Sequence, residues 1–361
     1  MRRLTKLSAV AAVATLALAG CGSSDSDGGG SGGDKPAASD DVCKTADGDG
    51  PKIGLAYDVG GRGDQSFNDS AYAGLEKAVT DFSATCIEGE ATDGEPESAR
   101  EDRLRNMAEN GATGIVGVGF AYSESVNAVA PDFPEVNFAV IDGFDPDETA
   151  NDNVAYLGFA EQEGSFLVGV AAAETSKSGT IGFVGGVNND LIKKFEAGYT
   201  AGAKAAKPDI KVEVAYIQES DLSGFGDPAG GKAAATGEFD KGADVVYHAA
   251  GGSGSGVFDA AVEAGKGNWA IGVDSDQYLT ATAAQKPFIL TSMLKRVDTA
   301  TFNFVKSIDD GKPLVSYTTY ALKDDGVGYS TSGGFIDSLT ADIDGYKAKI
   351  ISGEITVPEK P

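Results

Sequence analysis

The chain has 361 residues, of which 41% are hydrophobic and 23% charged, and this length and composition favour a soluble protein of two domains. Its 29 lysine and arginine residues stand against 55 acidic residues, and the formal charge of −26 argues against a nucleic acid as partner. A single histidine, His248, excludes a metal site with two histidine ligands and makes histidine acid–base chemistry a poor hypothesis. The composition therefore favours a binding protein over an enzyme.

The first predicted element is an export signal. Three basic residues among the first six precede an apolar run from Leu7 to Gly20, which is too short to span a membrane as a mature helix. The run ends in Leu-Ala-Gly-Cys at positions 18–21, and this resembles the lipobox of bacterial lipoproteins. The resemblance implies a signal peptide at residues 1–20 and a lipid on Cys21. A plain signal-peptidase site with a chance cysteine is the alternative.

A flexible linker is predicted at residues 21–50, because residues 22–41 are mainly Gly, Ser, Asp and Ala and cannot bury enough apolar surface to fold. With Cys21 lipidated, Cys43 and Cys86 remain as an even pair in an exported chain, where disulfides persist. We expect these two cysteines to form a disulfide; two buried free thiols are the alternative.

Past Pro51, short apolar runs alternate with amphipathic stretches, a pattern typical of βαβ units and of parallel sheets covered on both faces. Nine strands or more fit two sheets better than one. The predicted strands are Ile53–Tyr57, Gly114–Val118, Val136–Ile141, Val154–Gly158, Thr180–Val184, Val212–Ile217, Asp244–His248, Trp269–Val273 and Phe288–Met293.

Helices are predicted between these strands. The first has an apolar stripe at helical spacing that includes Ala71, Leu75 and Ala78, and Ser66 or Asn68 is its expected N-cap. Gly111 is expected to end a later helix.

The strand series divides near residue 157, which predicts two lobes. We expect an N-terminal lobe of residues 51–157 and 278–310, and a C-terminal lobe of residues 158–277 and 311–361. The chain then crosses between the lobes more than once, and these crossings would form a multi-strand hinge.

Aspartate or glycine follows several predicted strands. Asp58, Asp142 and Asp274 each come directly after one, and Gly251 follows the strand that contains His248. Ligands of open α/β sheets bind outside the carboxyl ends of the strands, and an ionised aspartate only accepts hydrogen bonds. This predicts a cleft for a neutral ligand rich in O–H and N–H donors. For each residue alone, an ordinary turn or helix cap is the alternative.

A series of sequence blocks, in order, resembles the basic-membrane-protein family of lipoproteins, the PnrA-like substrate-binding proteins. The blocks run from about residue 52 to 310. They are Leu55–Gly61, Asp64–Asn68, Gly117–Phe120, Gly182–Gly186, Lys194–Gly198, Phe225–Pro228, Ala249–Gly254, Gly272–Gln277 and Ser292–Asp298.

The resemblance implies an α/β protein of the type I periplasmic-binding-protein fold, with two Rossmann-like lobes that close on a ligand. It implies a substrate-binding protein of an ABC importer, with nucleosides, chiefly purine ones, as ligands and a permease and an ATPase as partners. It further implies a monomer held at the outer face of the cell membrane by the lipid on Cys21, with no catalytic residues, cofactor or metal.

Carried over position by position, the resemblance implies that the rings of Phe67 and Phe225 stack on the two faces of the base. Asp274 and Lys295 would hold the ribose hydroxyls, and the backbone of Gly251 would also contribute. Asp58 and Asp142 would face the base or the inner cleft, while Asn68 and Phe120 are further candidates.

Three other hypotheses come from the same residues. The same fold could bind a sugar or a signal molecule as the receptor of a sensor. An oxidoreductase would use Gly252, Gly254 and Gly256, but their spacing lacks the end of a dinucleotide fingerprint. A hydrolase would need His248, which lies in an apolar strand without a nucleophile-elbow motif.

Overall fold

The computed structural model describes residues 41–146 and 151–361. The predicted signal peptide, the lipidation at Cys21 and residues 21–40 of the predicted linker lie outside the described residues. The end of that linker is corrected, because Val42–Thr45 form a helix. Within the described ranges, every helix is too short or too polar to cross a membrane.

The described chain has twelve strands, and all nine predicted strands are among them. In chain order they are β1 (Lys52–Tyr57), β2 (Thr85–Glu90), β3 (Gly114–Val118), β4 (Asn137–Ile141), β5 (Val154–Phe159), β6 (Thr180–Val187), β7 (Lys211–Gln218), β8 (Val245–Ala249), β9 (Trp269–Asp274), β10 (Ile289–Lys295), β11 (Ser316–Tyr320) and β12 (Val327–Tyr329).

These strands form two six-stranded sheets, which confirms the predicted α/β class with two lobes. The first sheet has the order β11-β5-β4-β3-β1-β2 and is parallel throughout. The second has the order β12-β10-β9-β8-β6-β7, and only β12 runs antiparallel to its neighbour. The central strands are apolar because both of their faces are buried.

Helices cover both sheets. They are α1 (Val42–Thr45), α2 (Phe67–Phe82), α3 (Glu97–Glu109), α4 (Ser123–Val129), α5 (Glu161–Thr175), α6 (Asp190–Ala206), α7 (Pro228–Asp240), α8 (Gly254–Ala264), α9 (Gln277–Thr280), α10 (Val297–Asp309) and α11 (Thr340–Ile351). In the first lobe α2 packs on α10 and α3 on α4, and in the second α5 packs on α6 and α7 on α8. Gly111 follows α3 with a φ of +85°, as its predicted role at the helix end requires.

The three strands that the apolar pattern does not predict, β2, β11 and β12, are edge strands. An edge strand faces water along one side, so it needs fewer apolar residues than a central strand. In β2 only Cys86 is buried, and β11 is mostly exposed. Each of these three strands joins its sheet by pairing with one adjacent strand, and its own apolar pattern does not indicate this pairing.

The chain passes between the lobes three times, after β5, after β10 and after β11. The lobe boundaries expected from the sequence are corrected at two points: residues 289–295 pair within the second sheet, and residues 316–320 pair with β5 in the first. The physical reason is that apolar periodicity identifies a strand but carries no information on its partner.

Ser66 is the N-cap residue of α2, as one of the two alternatives from the sequence, but its side chain does not cap the helix. Asn68 lies inside the helix. The carboxylate of Asp64 instead accepts hydrogen bonds from the backbone N–H groups of Ser66, Asn68 and Asp69 at 2.9–3.1 Å. The Ser66 hydroxyl is therefore available for a contact in the other lobe.

Candidate ligand-binding site

One cavity lies between the lobes at the carboxyl ends of the strands. All nine ligand-binding candidates from the sequence line this cavity: Asp58, Phe67, Asn68, Phe120, Asp142, Phe225, Gly251, Asp274 and Lys295. The first lobe supplies the first five, and the second lobe supplies the last four. The convergence follows from the topology, since parallel strands bring their carboxyl ends to one edge of each sheet.

The loop between β1 and α2 forms one wall of the cavity through a set of internal hydrogen bonds. Asn68 accepts a bond from the backbone N–H of Asp58 at 3.0 Å and donates from its side chain to Asp64 at 3.1 Å. Asp64, whose side chain caps α2, also lines the cavity. This network orients Asp58 and the neighbouring Phe67, and it leaves Asn68 with partners inside its own loop.

Asp58 is the most enclosed acid on this wall. Its Oδ1 accepts from the N–H of Val59 at 2.8 Å, and burial raises the pKa of its carboxyl to about 6. A Cβ on Gly119 would come within 2.3 Å of Oδ2, so only glycine, with its φ of +108°, leaves room for this carboxylate. Gly119 was not among the residues predicted from the sequence. Its role depends on Asp58 after β1, a strand that pairs with β3 but lies far from it in the sequence.

Lys295, at the end of β10, is the charged centre of the site. Its ammonium donates to Asp142 Oδ2 at 2.6 Å and lies 3.3 Å from Glu161 Oε1. It also lies 5.2, 5.0 and 5.4 Å from the ring centroids of Phe67, Phe159 and Phe195. Burial opposes the charged form, but the nearby carboxylates outweigh it and raise the pKa of Lys295.

Asp142 directly follows β4 and Asp274 is the last residue of β9, and both adopt positive φ angles, of +60° and +64°. Aspartate tolerates this conformation better than most residues. Burial raises the pKa of Asp142 to about 6 against the opposing charge of Lys295, and burial also raises the pKa of Asp274. The Oδ1 atom of Asp142 is buried without a hydrogen-bond partner, so it can accept a donor from a ligand.

Aromatic rings line the cavity from both lobes. Phe67 begins α2, Phe120 follows β3 and Phe225 follows β7. A Cβ on Gly186 would lie 2.5 Å from the Phe225 ring, so this glycine makes the space that the ring occupies. Phe195 of α6 is a further lining ring that the sequence analysis missed as a site residue, because its spacing on an amphipathic helix is also that of a core residue.

Polar contacts join the two lobes beside the cavity. The Ser66 hydroxyl donates to Asp274 Oδ2 at 2.5 Å, and the Ser275 hydroxyl donates to the carbonyl of Ser66 at 3.1 Å. The Gln277 side chain donates to the carbonyl of Gln65 at 3.1 Å. The lobes are thus in contact around the cavity.

The residues of the rival enzyme hypotheses have packing roles. His248 is fully buried, and burial lowers its pKa to about 3. A Cβ on Gly254 would lie 1.9 Å from the His248 ring, and one on Gly256 would lie 1.9 Å from the carbonyl of Pro228. These glycines therefore permit close packing of α8, which accounts for them without a dinucleotide.

A disulfide joins Cys43 and Cys86, with their Cα atoms 4.9 Å apart. Asp41 and Glu88 lie beside it, each within ion-pair distance of Arg62. Because Cys43 is oxidised and Arg62 supplies the positive charge, this acidic group does not have the donor chemistry of a metal site.

Comparison with known proteins agrees with this geometry. A family model described as "ABC transporter substrate-binding protein PnrA-like" matches residues 52–361. The chain is 35% identical to the ABC transporter nucleoside-binding protein BmpA of Lactococcus lactis over 376 residues, 99% of each chain. It is 36% identical to basic membrane protein A1 of Borrelia garinii over 314 residues, 85% of this chain and 88% of that protein.

The fold also resembles solved structures. A crystal structure of an ABC transporter solute-binding protein from Aeropyrum pernix superposes with a TM-score of 0.74 at 28% sequence identity. The match covers 85% of this chain and 94% of that one, so it includes both lobes.

Proposed function

Because the chain belongs to the PnrA-like family of ABC transporter substrate-binding proteins, we propose that it is a nucleoside receptor that binds a purine nucleoside in the cavity between its lobes. Binding delivers the nucleoside to the permease of an importer, whose ATPase drives transport. The protein itself changes no covalent bond in this role.

The observation that carries the proposal is the pairing of aromatic rings with hydrogen-bond acceptors around one cavity between the lobes. Phe67 and Phe225 reach the cavity from opposite lobes, as two rings that clamp a flat heteroaromatic base would do. Stacking on such rings is worth about 1–3 kcal/mol per base in nucleic-acid complexes. A sugar can also stack its C–H groups on such rings; the relative from Lactococcus lactis, named as a nucleoside-binding protein, favours a nucleoside.

The polar side chains fit the other half of a nucleoside. Asp274 and the free Oδ1 atom of Asp142 accept hydrogen bonds, and the ribose hydroxyls supply donors. Lys295 lies between these carboxylates and can donate to a hydroxyl oxygen. A nucleotide is disfavoured, because its phosphate would meet four carboxyl groups of the cavity lining and the one ammonium among these lining residues.

The proposed location is the outer face of the cell membrane, with a lipid on Cys21 as the anchor. The Leu-Ala-Gly-Cys sequence at positions 18–21 supports this part of the proposal. Metabolic labelling with a radioactive fatty acid tests it: wild-type protein should carry the label, and the Cys21→Ala variant should not.

Thermal denaturation of the purified protein tests the ligand. We expect purine nucleosides to raise the melting temperature, since a ligand at 100 times its Kd stabilises the folded state by about 2.7 kcal/mol. Free bases, nucleotides and simple sugars are measured in parallel. A shift with sugars alone would contradict the nucleoside proposal.

Substitutions identify the site. We expect Phe225→Ala and Asp274→Ala each to weaken nucleoside binding tenfold or more by calorimetry, because one loses a stacking face and the other an acceptor. Phe335→Ala, which removes a partly exposed ring of the same lobe outside the cavity, is the matched control and should bind as the wild type does. Unchanged affinity in both cavity variants would place the ligand elsewhere.

A further inference from the structure

Glu161 is a fully buried carboxylate behind the wall of the cavity, and it is absent from the set of side chains that line the cavity. It is the first residue of α5, at the point where the chain passes from β5 of the first sheet into the second lobe. Its Oε1 lies 3.3 Å from the Lys295 ammonium, and its Oε2 lies 3.5 Å from the ammonium of Lys194. A buried charge of this kind requires a specific partner.

The two carboxylates that contact Lys295 belong to different lobes. Asp142 follows β4 of the first sheet, whereas Glu161 begins a helix that packs on β10, the strand that carries Lys295. Separation of the lobes would therefore break the contact between Lys295 and Asp142, but it would leave Glu161 beside Lys295. Glu161 is therefore a carboxylate contact that Lys295 keeps in both arrangements.

We propose that Glu161 is a positioning residue that holds the Lys295 ammonium at the cavity wall when the lobes are apart, so that it meets the ligand and Asp142 when they close. The inference rests on the proposed function, since the ligand in question is the nucleoside. Without Glu161, the neighbours that Lys295 keeps in its own lobe would be the Phe195 ring and Asp274.

The charges around Lys295 determine how the proposal is tested. Three acidic groups act on Lys295 from separate elements: Asp142, Glu161 and Asp274. Lys194 of α6 neutralises part of the charge of Glu161. The remaining neighbours are the uncharged rings of Phe67, Phe159 and Phe195. Removing the charge of Glu161 while keeping its shape should lower the pKa of Lys295, most strongly in the ligand-free protein.

The first measurement needs no ligand. The Lys295 side chain is followed by NMR of protein carrying ¹³C-labelled lysine, with the signal assigned by its loss in Lys295→Met. We expect the Lys295 signal to titrate at lower pH in Glu161→Gln than in the wild type. An identical titration in the two proteins would overturn the proposal.

The second measurement is the affinity for a purine nucleoside as a function of pH. We expect Glu161→Gln to bind at least tenfold more weakly, and its affinity to decline at a lower alkaline pH than that of the wild type. Glu174→Gln removes the same charge from the other end of α5, beside exposed Lys207, and should bind as the wild type does. A weaker affinity with unchanged pH dependence would indicate a packing role alone and overturn the proposal.

Glu161→Asp covers the case in which the glutamine variant does not fold. It keeps the charge but shortens the side chain by one methylene, so we expect a Lys295 pKa below that of the wild type and an intermediate affinity. An unchanged Lys295 titration in this variant would also overturn the proposal. If the wild type binds no nucleoside, the proposed function fails, whereas the ligand-free titration still decides the role of Glu161.

Discussion

Asp58 and Asp142 bring two carboxyl groups to the cavity from the first lobe, and burial raises the pKa of each to about 6. At neutral pH most molecules therefore hold both groups as carboxylates, which only accept hydrogen bonds. Protonation would convert an acceptor into a donor. Recognition of a nucleoside by its N–H and O–H donors is thus linked to pH at the level of single residues.

This linkage predicts weaker nucleoside binding in acid. Because the proposed ligand binds the ionised carboxylates, affinity should be constant between about pH 7 and 8 and should fall as the pH drops through 6. Calorimetry between pH 5 and 8 measures the effect, and Asp58→Asn should flatten part of the decline while binding more weakly at pH 8. An affinity that rises below pH 6 would mean that a protonated carboxyl donates to the ligand.

At the scale of elements, the short helix α1 is attached to the edge of the first sheet. The Cys43–Cys86 disulfide joins α1 to β2, and the backbone N–H of Val42 donates to the Tyr72 hydroxyl at 3.0 Å. Arg62, from the loop before α2, stacks on the Tyr72 ring at 3.5 Å. The start of the described chain is therefore bound to the loop that carries the cavity residues.

Reduction of the disulfide should destabilise the first lobe. The two cysteines are separated by 43 residues, and closing a loop of that length stabilises a protein by about 4 kcal/mol in the chain-entropy model. We expect urea denaturation to show a loss of this order after treatment with a thiol reductant. The double variant Cys43→Ser with Cys86→Ser should show the same loss, and the reductant should have no further effect on it.

At the scale of the whole molecule, the cavity is closed by contacts between the lobes. Asp58, Asp274 and Lys295 are 7%, 7% and 2% exposed, so a ligand the size of a nucleoside cannot reach them while the lobes touch. The three chain crossings are the only covalent connections between the lobes in the described residues. Entry of a ligand therefore requires the lobes to separate about these crossings.

Small-angle X-ray scattering tests this movement. We expect saturating nucleoside to reduce the radius of gyration by roughly 1 Å from a value of about 20 Å, as closure of two lobes around a hinge requires. The Asp274→Ala variant at a nucleoside concentration too low to saturate it should scatter as the ligand-free protein does. Identical scattering with and without bound nucleoside would show that the ligand enters without separation of the lobes.

The pattern of apolar residues determined the central strands of both sheets, because a strand buried on both faces must be apolar along its whole length. It also located the cavity, since Asp58, Asp142 and Asp274 lie at strand ends that any parallel sheet brings to one edge. The family resemblance added the rings of Phe67 and Phe225. To this extent the fold and the nine candidate residues that line the cavity were predictable from the sequence.

Only the tertiary structure decided which strand joins which sheet, as β10 and β11 demonstrate, because strand pairing depends on residues far apart in the chain. It also decided the roles of Glu161, Phe195 and Gly119. The first two have the spacing of ordinary helix residues, and Gly119 has the composition of an ordinary turn. What they contact depends on residues far away in the chain, and periodicity along one segment carries no information about its neighbours in space.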